Sequence, residues 1–189
     1  MAEHHLILKD LEIALKVTKE MNLRIFLEGG TLLGAIREKD FLSHDCDFDF
    51  GILRKEFSKD SQKELIAKLT TVQDFTFKGY ECKAFKQRVE FGDRPYMIKF
   101  WSKYAHWNTD FWIFEETETE YYHRGWCGYF YFPKECLNTL DEIEFFGLKV
   151  LVPHNPELYL QCIYGKNWKI PNPNFKKPND YNNWERNLK

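Results

Sequence analysis

No stretch of this 189-residue chain runs to ~18 uninterrupted apolar residues, the length a membrane-spanning helix needs. Its first residues also lack the basic segment and continuous apolar core of a secretory leader. A soluble, cytoplasmic protein without a transmembrane segment is expected, and a peripheral position on a membrane stays compatible with that. Cysteine is scarce: Cys46, Cys82, Cys127, Cys136 and Cys162 are odd in number, widely spaced and contain no Cys-x-x-Cys. That excludes a disulfide framework or a zinc knuckle and fits a reducing compartment. Charge of one sign is lacking too, because the formal net charge is only -2. Nucleic acid is therefore not an expected partner, and any phosphate recognition has to be local. The histidines have no zinc-ligand spacing, and Ser43 beside His44 has no nucleophile-elbow context.

What the chain does have is apolar and aromatic material, 43% and 17% of residues, which predicts a packed fold. The length suits one sizeable core, so one domain over 1–189 is expected, with its core at about 24–170 and an irregular tail at 171–189. Ile7, Leu11, Ala14, Leu15 and Val17 recur at helical spacing, and Leu65, Ile66 and Leu69 mark a second helix over Ser61 to Val72. Phe75 to Phe77, Ala84 to Phe91, Met97 to Trp101 and Phe111 to Phe114 read as strands. Glu115, Glu116, Glu118 and Glu120 read as a solvated acidic loop, and Tyr121 to Phe132 shows no clear period. Gly147 to Val152 is a further strand. Asn155-Pro156 then starts a helix that Gly165 stops, and scattered rings such as Trp168, Phe175 and Trp184 anchor the tail.

Chemistry concentrates near the start. Arg24 to Leu27 is a short strand, and Glu28-Gly29-Gly30 is a turn that opens a helix from Thr31 to Arg37. Adjacent glycines let backbone N–H groups approach an anion, and a helix start faces it with positive charge. After a polar loop, a strand from about Cys46 to Ile52 carries Asp47 and Asp49 two residues apart, hence on one face. Two carboxylates a few ångströms apart repel by roughly 4 kcal/mol at an effective dielectric near 20, so an inward pair needs a cation or a shared proton. An edge strand with both aspartates in water is the plainer alternative. Phe48 and Phe50 favour the inward one.

The glycine pair followed by this Asp-x-Asp strand is the signature of the nucleotidyltransferase fold. More closely, Gly29 to Arg37 together with His44-Asp45-Cys46-Asp47-Phe48-Asp49 resembles the LicD/fukutin family. The resemblance continues through Asp110-Phe111-Trp112-Ile113, Phe132-Pro133-Lys134, Phe146 to Pro153, and Tyr159-Leu160 to Tyr164-Gly165, and so spans nearly all of residues 28–170. His44 stands where the family has tryptophan, and Cys46 replaces the middle acid of an aspartate triplet. Cys46 faces away from Asp45, Asp47 and Asp49, so the carboxylate pair is unaffected.

The resemblance implies an α+β fold, a small mixed sheet flanked by helices. It also implies a phosphotransferase that moves phosphocholine or an alditol phosphate from a CDP-linked donor of the choline, ribitol or glycerol type to a glycan or glycolipid hydroxyl. Carried over by position, Asp47 and Asp49 hold Mg²⁺ or Mn²⁺, and Asp110 is the third carboxylate, sharing the metal or taking the acceptor proton. Gly29, Gly30, Thr31, Arg37 and His44 make the nucleotide and phosphate site. Arg37 could reach phosphate or pair with an aspartate, Glu28 could orient the acceptor or cap the turn, and His123-Arg124 could touch the acceptor. Two other functions stay open: transfer of NMP from an NTP, and a catalytically silent glycan-binding subunit.

Overall fold

The computed structural model describes residues 2–71, 75–81, 88–89, 95–102, 107–125 and 128–175. Most of the expected strand over Ala84 to Phe91, the thiols of Cys82 and Cys127, and the tail past 175 with Trp184 lie outside these residues. The chain opens with helix α1 (Ala2–Glu20), whose Ile7, Leu11, Ala14 and Val17 face is buried as the spacing predicts. Strand β1 (Ile25–Leu27) leads into α2 (Gly29–Leu33), which continues as a wider π turn over Gly34–Glu38. Strand β2 (Asp47–Leu53) and helix α3 (Lys59–Thr71) follow, and α3 packs on α1. Then come β3 (Phe75–Glu81), β4 (Arg88–Val89), β5 (Met97–Ser102) and β6 (Asn108–Glu116). The chain continues through β7 (Glu120–Gly125), β8 (Gly128–Pro133), α4 (Lys134–Leu137), β9 (Leu140–Phe145), β10 (Leu148–Pro153) and α5 (Pro156–Tyr164).

The main path of the sheet runs β4-β3-β5-β6-β2-β1-β10-β9. It is mixed, with β2 parallel to β6 and β1 parallel to β10, and the other neighbours antiparallel. The fold is thus α+β with a mixed sheet flanked by helices. The sheet is larger than the small one expected, because the β7–β8 hairpin and β9 join it. Strand β2 sits at its centre, and its even positions Phe48, Phe50 and Ile52 are fully buried. Phe50 stacks on Phe111 of the neighbouring strand at 5.4 Å between ring centres. Each such ring contributes about 2 kcal/mol by leaving water. That burial fixes the register, and with it the face on which Asp47 and Asp49 emerge.

Two expectations change. The acidic stretch is the turn of a hairpin and not a free loop. Glu115 accepts a hydrogen bond from Arg54 at 3.0 Å, Glu116 binds Lys134 at 2.9 Å, and the Thr117 hydroxyl accepts from the Glu120 N–H. Strands β7 and β8 form the hairpin itself, with Tyr121, His123, Phe130 and Phe132 buried and Tyr122, Arg124, Tyr129 and Tyr131 half-buried. The start of α5 is as read: the Asn155 side chain accepts from the Leu158 N–H at 3.1 Å, and Pro156 begins the first turn.

Candidate active site

The site forms where the turn after β1 meets the starts of β2 and β6. Glu28 is extended, and Gly29 then takes φ +52°, a conformation that strains any residue with a Cβ. The turn grips β2 on both sides of Asp49. The Asp49 N–H donates to the Thr31 hydroxyl at 2.9 Å, and the Glu28 N–H donates to the Asp49 carbonyl at 3.0 Å. Both glycines bring the backbone close to a carboxylate. A Cβ on Gly29 would come within 3.0 Å of an Asp49 carboxylate oxygen, and one on Gly30 within 2.4 Å of an Asp45 carboxylate oxygen.

Parallel pairing sets Asp49 directly beside Asp110, so a residue sixty-one positions later joins the Asp47 and Asp49 pair. Each of the three carboxylates offers an oxygen within 4.8 Å of the other two. At that spacing each ionised pair repels by about 3 kcal/mol at an effective dielectric near 20. Loss of solvent, followed by the charges of Asp47, Glu28 and Asp110, holds the Asp49 carboxyl well above the ordinary aspartate range. The Trp112 indole N–H, 2.7 Å from Asp49 Oδ1, pulls the other way. Lys99, the register partner of Asp110 on β5, brings its ammonium to 2.7 Å from Asp110 Oδ2. This arrangement suits a cation: two half-buried acids and a buried one at close spacing, one of them with a raised proton affinity.

Beside Gly30 a cleft of about 1060 Å³ opens. Arg37, His44, Asp45, Tyr164, Trp168 and Phe175 are among the residues that line it. Among the described residues Arg37 pairs with no aspartate of β2. Its Nε donates to Glu38 at 2.7 Å and its Nη1 to the Trp168 carbonyl at 3.1 Å, which ties the π turn to the C-terminal segment. Glu28 does not cap the turn either. Helix α2 has no side-chain cap, and the Glu28 carboxylate is buried. Cys136 is buried, and burial pushes its thiol up to about 12, which disfavours a nucleophilic thiolate there.

Neither Lys99 nor Trp112 stands out in the sequence as a site residue. Trp112 carries a weak signal, lying two residues from Asp110 and hence on its face. Lys99 becomes visible only through the β5–β6 pairing.

Residues 22–155, which include the glycine turn and all three aspartates, match the family described as LicD/FKTN/FKRP, nucleotidyltransferase domain. The chain belongs to the LicD/FKTN/FKRP family. It is 26% identical over 169 residues to the human ribitol 5-phosphate transferase FKRP, covering 86% of this chain and 31% of that protein. With the human ribitol-5-phosphate transferase FKTN it shares 27% over 171 residues, 85% of this chain and 32% of the relative. This LicD/FKTN/FKRP domain therefore spans under a third of each curated relative's length.

Two solved structures of ANT(2'')-Ia share its fold. One, in complex with adenylyl-2''-tobramycin, aligns with TM-score 0.51 at 13% identity over 93% of this chain and 83% of that one. The other, a solution structure, gives 0.55 at 14% over 94% and 79%. Likeness at that identity bears on the fold alone, and the nucleotidyltransferase description comes from the family match.

Proposed function

We propose that this domain is a metal-dependent phosphotransferase that moves a phospho-substituent, of the alditol phosphate type, from a CDP-activated donor to a glycan hydroxyl. The observation that carries this reading is the Asp47, Asp49 and Asp110 trio beside the Gly29-Gly30 turn, in a chain whose relatives are named ribitol phosphate transferases. Strands β1 and β10 pair in one sheet although they lie far apart in the chain, which supports treating 1–189 as one domain.

In this mechanism Asp47, Asp49 and Asp110 would hold Mg²⁺ or Mn²⁺, which would neutralise charge on the donor's pyrophosphate. The residues of the chain do the rest. The glycine turn lets backbone come close to the phosphates, and Thr31 and Glu28 keep Asp49 fixed to that turn. Arg37 and His44 face the cleft, which receives the donor's nucleoside against Trp168 and Phe175. Lys99 offsets part of the trio's negative charge. The acceptor oxygen attacks the phosphorus distal to the nucleoside, the bond from that phosphorus to the bridging oxygen breaks, and CMP leaves. The hydroxyl proton passes to Asp110.

Partners under this reading are a CDP-linked donor and a glycan or glycolipid acceptor. Among the described residues no helix is long and apolar enough to cross a membrane. The test is product identity. Incubation with CDP-ribitol, CDP-glycerol or CDP-choline, a glycan acceptor and Mg²⁺ should release CMP. Release of pyrophosphate from an NTP instead would replace this reading with NMP transfer, and no turnover with any donor would favour a silent binding subunit.

A further inference from the structure

On the carboxylate side of the sheet lies a second group of buried polar side chains that the mechanism above leaves unused. Glu28, Tyr159 and His123 come from the end of β1, from α5 and from β7, and all three are buried. The Tyr159 hydroxyl donates to Glu28 Oε1 at 3.1 Å, and His123 Nε2 lies 3.3 Å from the same oxygen. Neither imidazole nitrogen completes a hydrogen bond of normal geometry, although the ring is 4% exposed. A buried imidazole in that condition costs stability, and an all-apolar ring of similar shape would avoid the cost.

Aromatic rings wall in the histidine. Phe114, Phe130 and Trp112 approach it at 4.6, 5.3 and 5.4 Å between ring centres, and Phe132 stacks on both His123 and Tyr159.

Both ends of this group reach the carboxylate trio. The backbone of Glu28 opens the glycine turn and donates to the Asp49 carbonyl. Trp112, which packs on His123, donates its indole N–H to the Asp49 carboxylate. We infer that Glu28, His123 and Tyr159 are positioning residues: two distant elements converge on one buried carboxylate oxygen and so fix the glycine turn and the Asp49 side chain together. The inference rests on the proposed function above, because the turn and Asp49 are what it positions.

The test separates packing from positioning. His123→Phe keeps a ring in an aromatic box and removes the two unsatisfied nitrogens, and Tyr159→Phe removes one hydroxyl. Both are made in the full chain, with Glu28→Gln as a third variant that keeps shape and loses charge. Melting temperature and Mg²⁺-dependent affinity for CDP are measured for each by thermal scan and calorimetry.

The expected result for His123→Phe is a melting temperature equal to or above wild type with CDP bound about tenfold more weakly, and for Tyr159→Phe a similar loss of affinity. Glu28→Gln loses affinity as well, and it carries the test alone if a ring variant does not fold. Wild-type affinity in the folded variants would overturn the positioning role while leaving the proposed function intact. Absence of Mg²⁺-dependent CDP binding in the wild type would overturn the function and this inference together.

Discussion

The Asp49 N–H donates to the Thr31 hydroxyl at 2.9 Å, so the central strand of the sheet is tied to the second turn residue after Gly29. Thr31 is 3% exposed, and water cannot easily replace it. Thr31→Val keeps the shape and removes the acceptor. The fold should lose about 1–2 kcal/mol, measured by urea unfolding, whereas Thr31→Ser should stay within about 0.5 kcal/mol of wild type.

The two glycines should respond differently to alanine. Gly29 has positive φ, and a Cβ there also meets Asp49 at 3.0 Å, so Gly29→Ala should cost about 1–2 kcal/mol. Gly30 has no such backbone demand, and its close neighbour is the far end of the Asp45 side chain, which can swing away. Gly30→Ala should therefore unfold at nearly the wild-type urea concentration. A larger loss at Gly30 than at Gly29 would contradict the assigned geometry.

These contacts also mark what was readable from residues alone. The glycine turn, the two aspartates of β2 and the Asn155 start of α5 are local patterns, decided by backbone sterics, period-two alternation and capping. The β7–β8 hairpin hid its alternation because its half-buried face carries Tyr122, Tyr129 and Tyr131, rings that look as apolar as the buried Phe130 and Phe132. Glu115 and Glu116 looked solvated because their cations come from Arg54, Lys55 and Lys134, elements apart in sequence. Glu28 looked like a cap because its partner Tyr159 lies 131 residues away.

Lys99 is the sole lysine of β5, and its ammonium lies against a carboxylate that is 1% exposed. Lys99→Met leaves Asp110 without that charge in a buried setting. The variant should lose about 3 kcal/mol in metal-free buffer, and saturating Mg²⁺ should restore part of the loss. Equal loss with and without Mg²⁺, read from melting curves, would argue that no cation joins the trio.

Stability should depend on pH and cation together. The Asp49 carboxyl is raised in the fold, so its proton favours the folded state at pH below the unfolded value, and that contribution is lost as pH rises through the folded value. A bound cation replaces the proton. The rise in melting temperature on adding Mg²⁺ or Mn²⁺ should therefore be larger at pH 8 than at pH 5. An equal or larger rise at pH 5 would contradict the trio as its site.

The central claim is that the three carboxylates carry transfer from a CDP-linked donor. The most direct measurement is CMP release from CDP-ribitol, with Mg²⁺ and a glycan acceptor, by wild type, Asp47→Asn and Asp49→Asn, alongside melting curves that establish folding. The account predicts acceptor-dependent CMP release by the wild type and a drop of at least about a hundredfold in each folded variant. Full CMP release by the folded Asp47→Asn and Asp49→Asn proteins would contradict it.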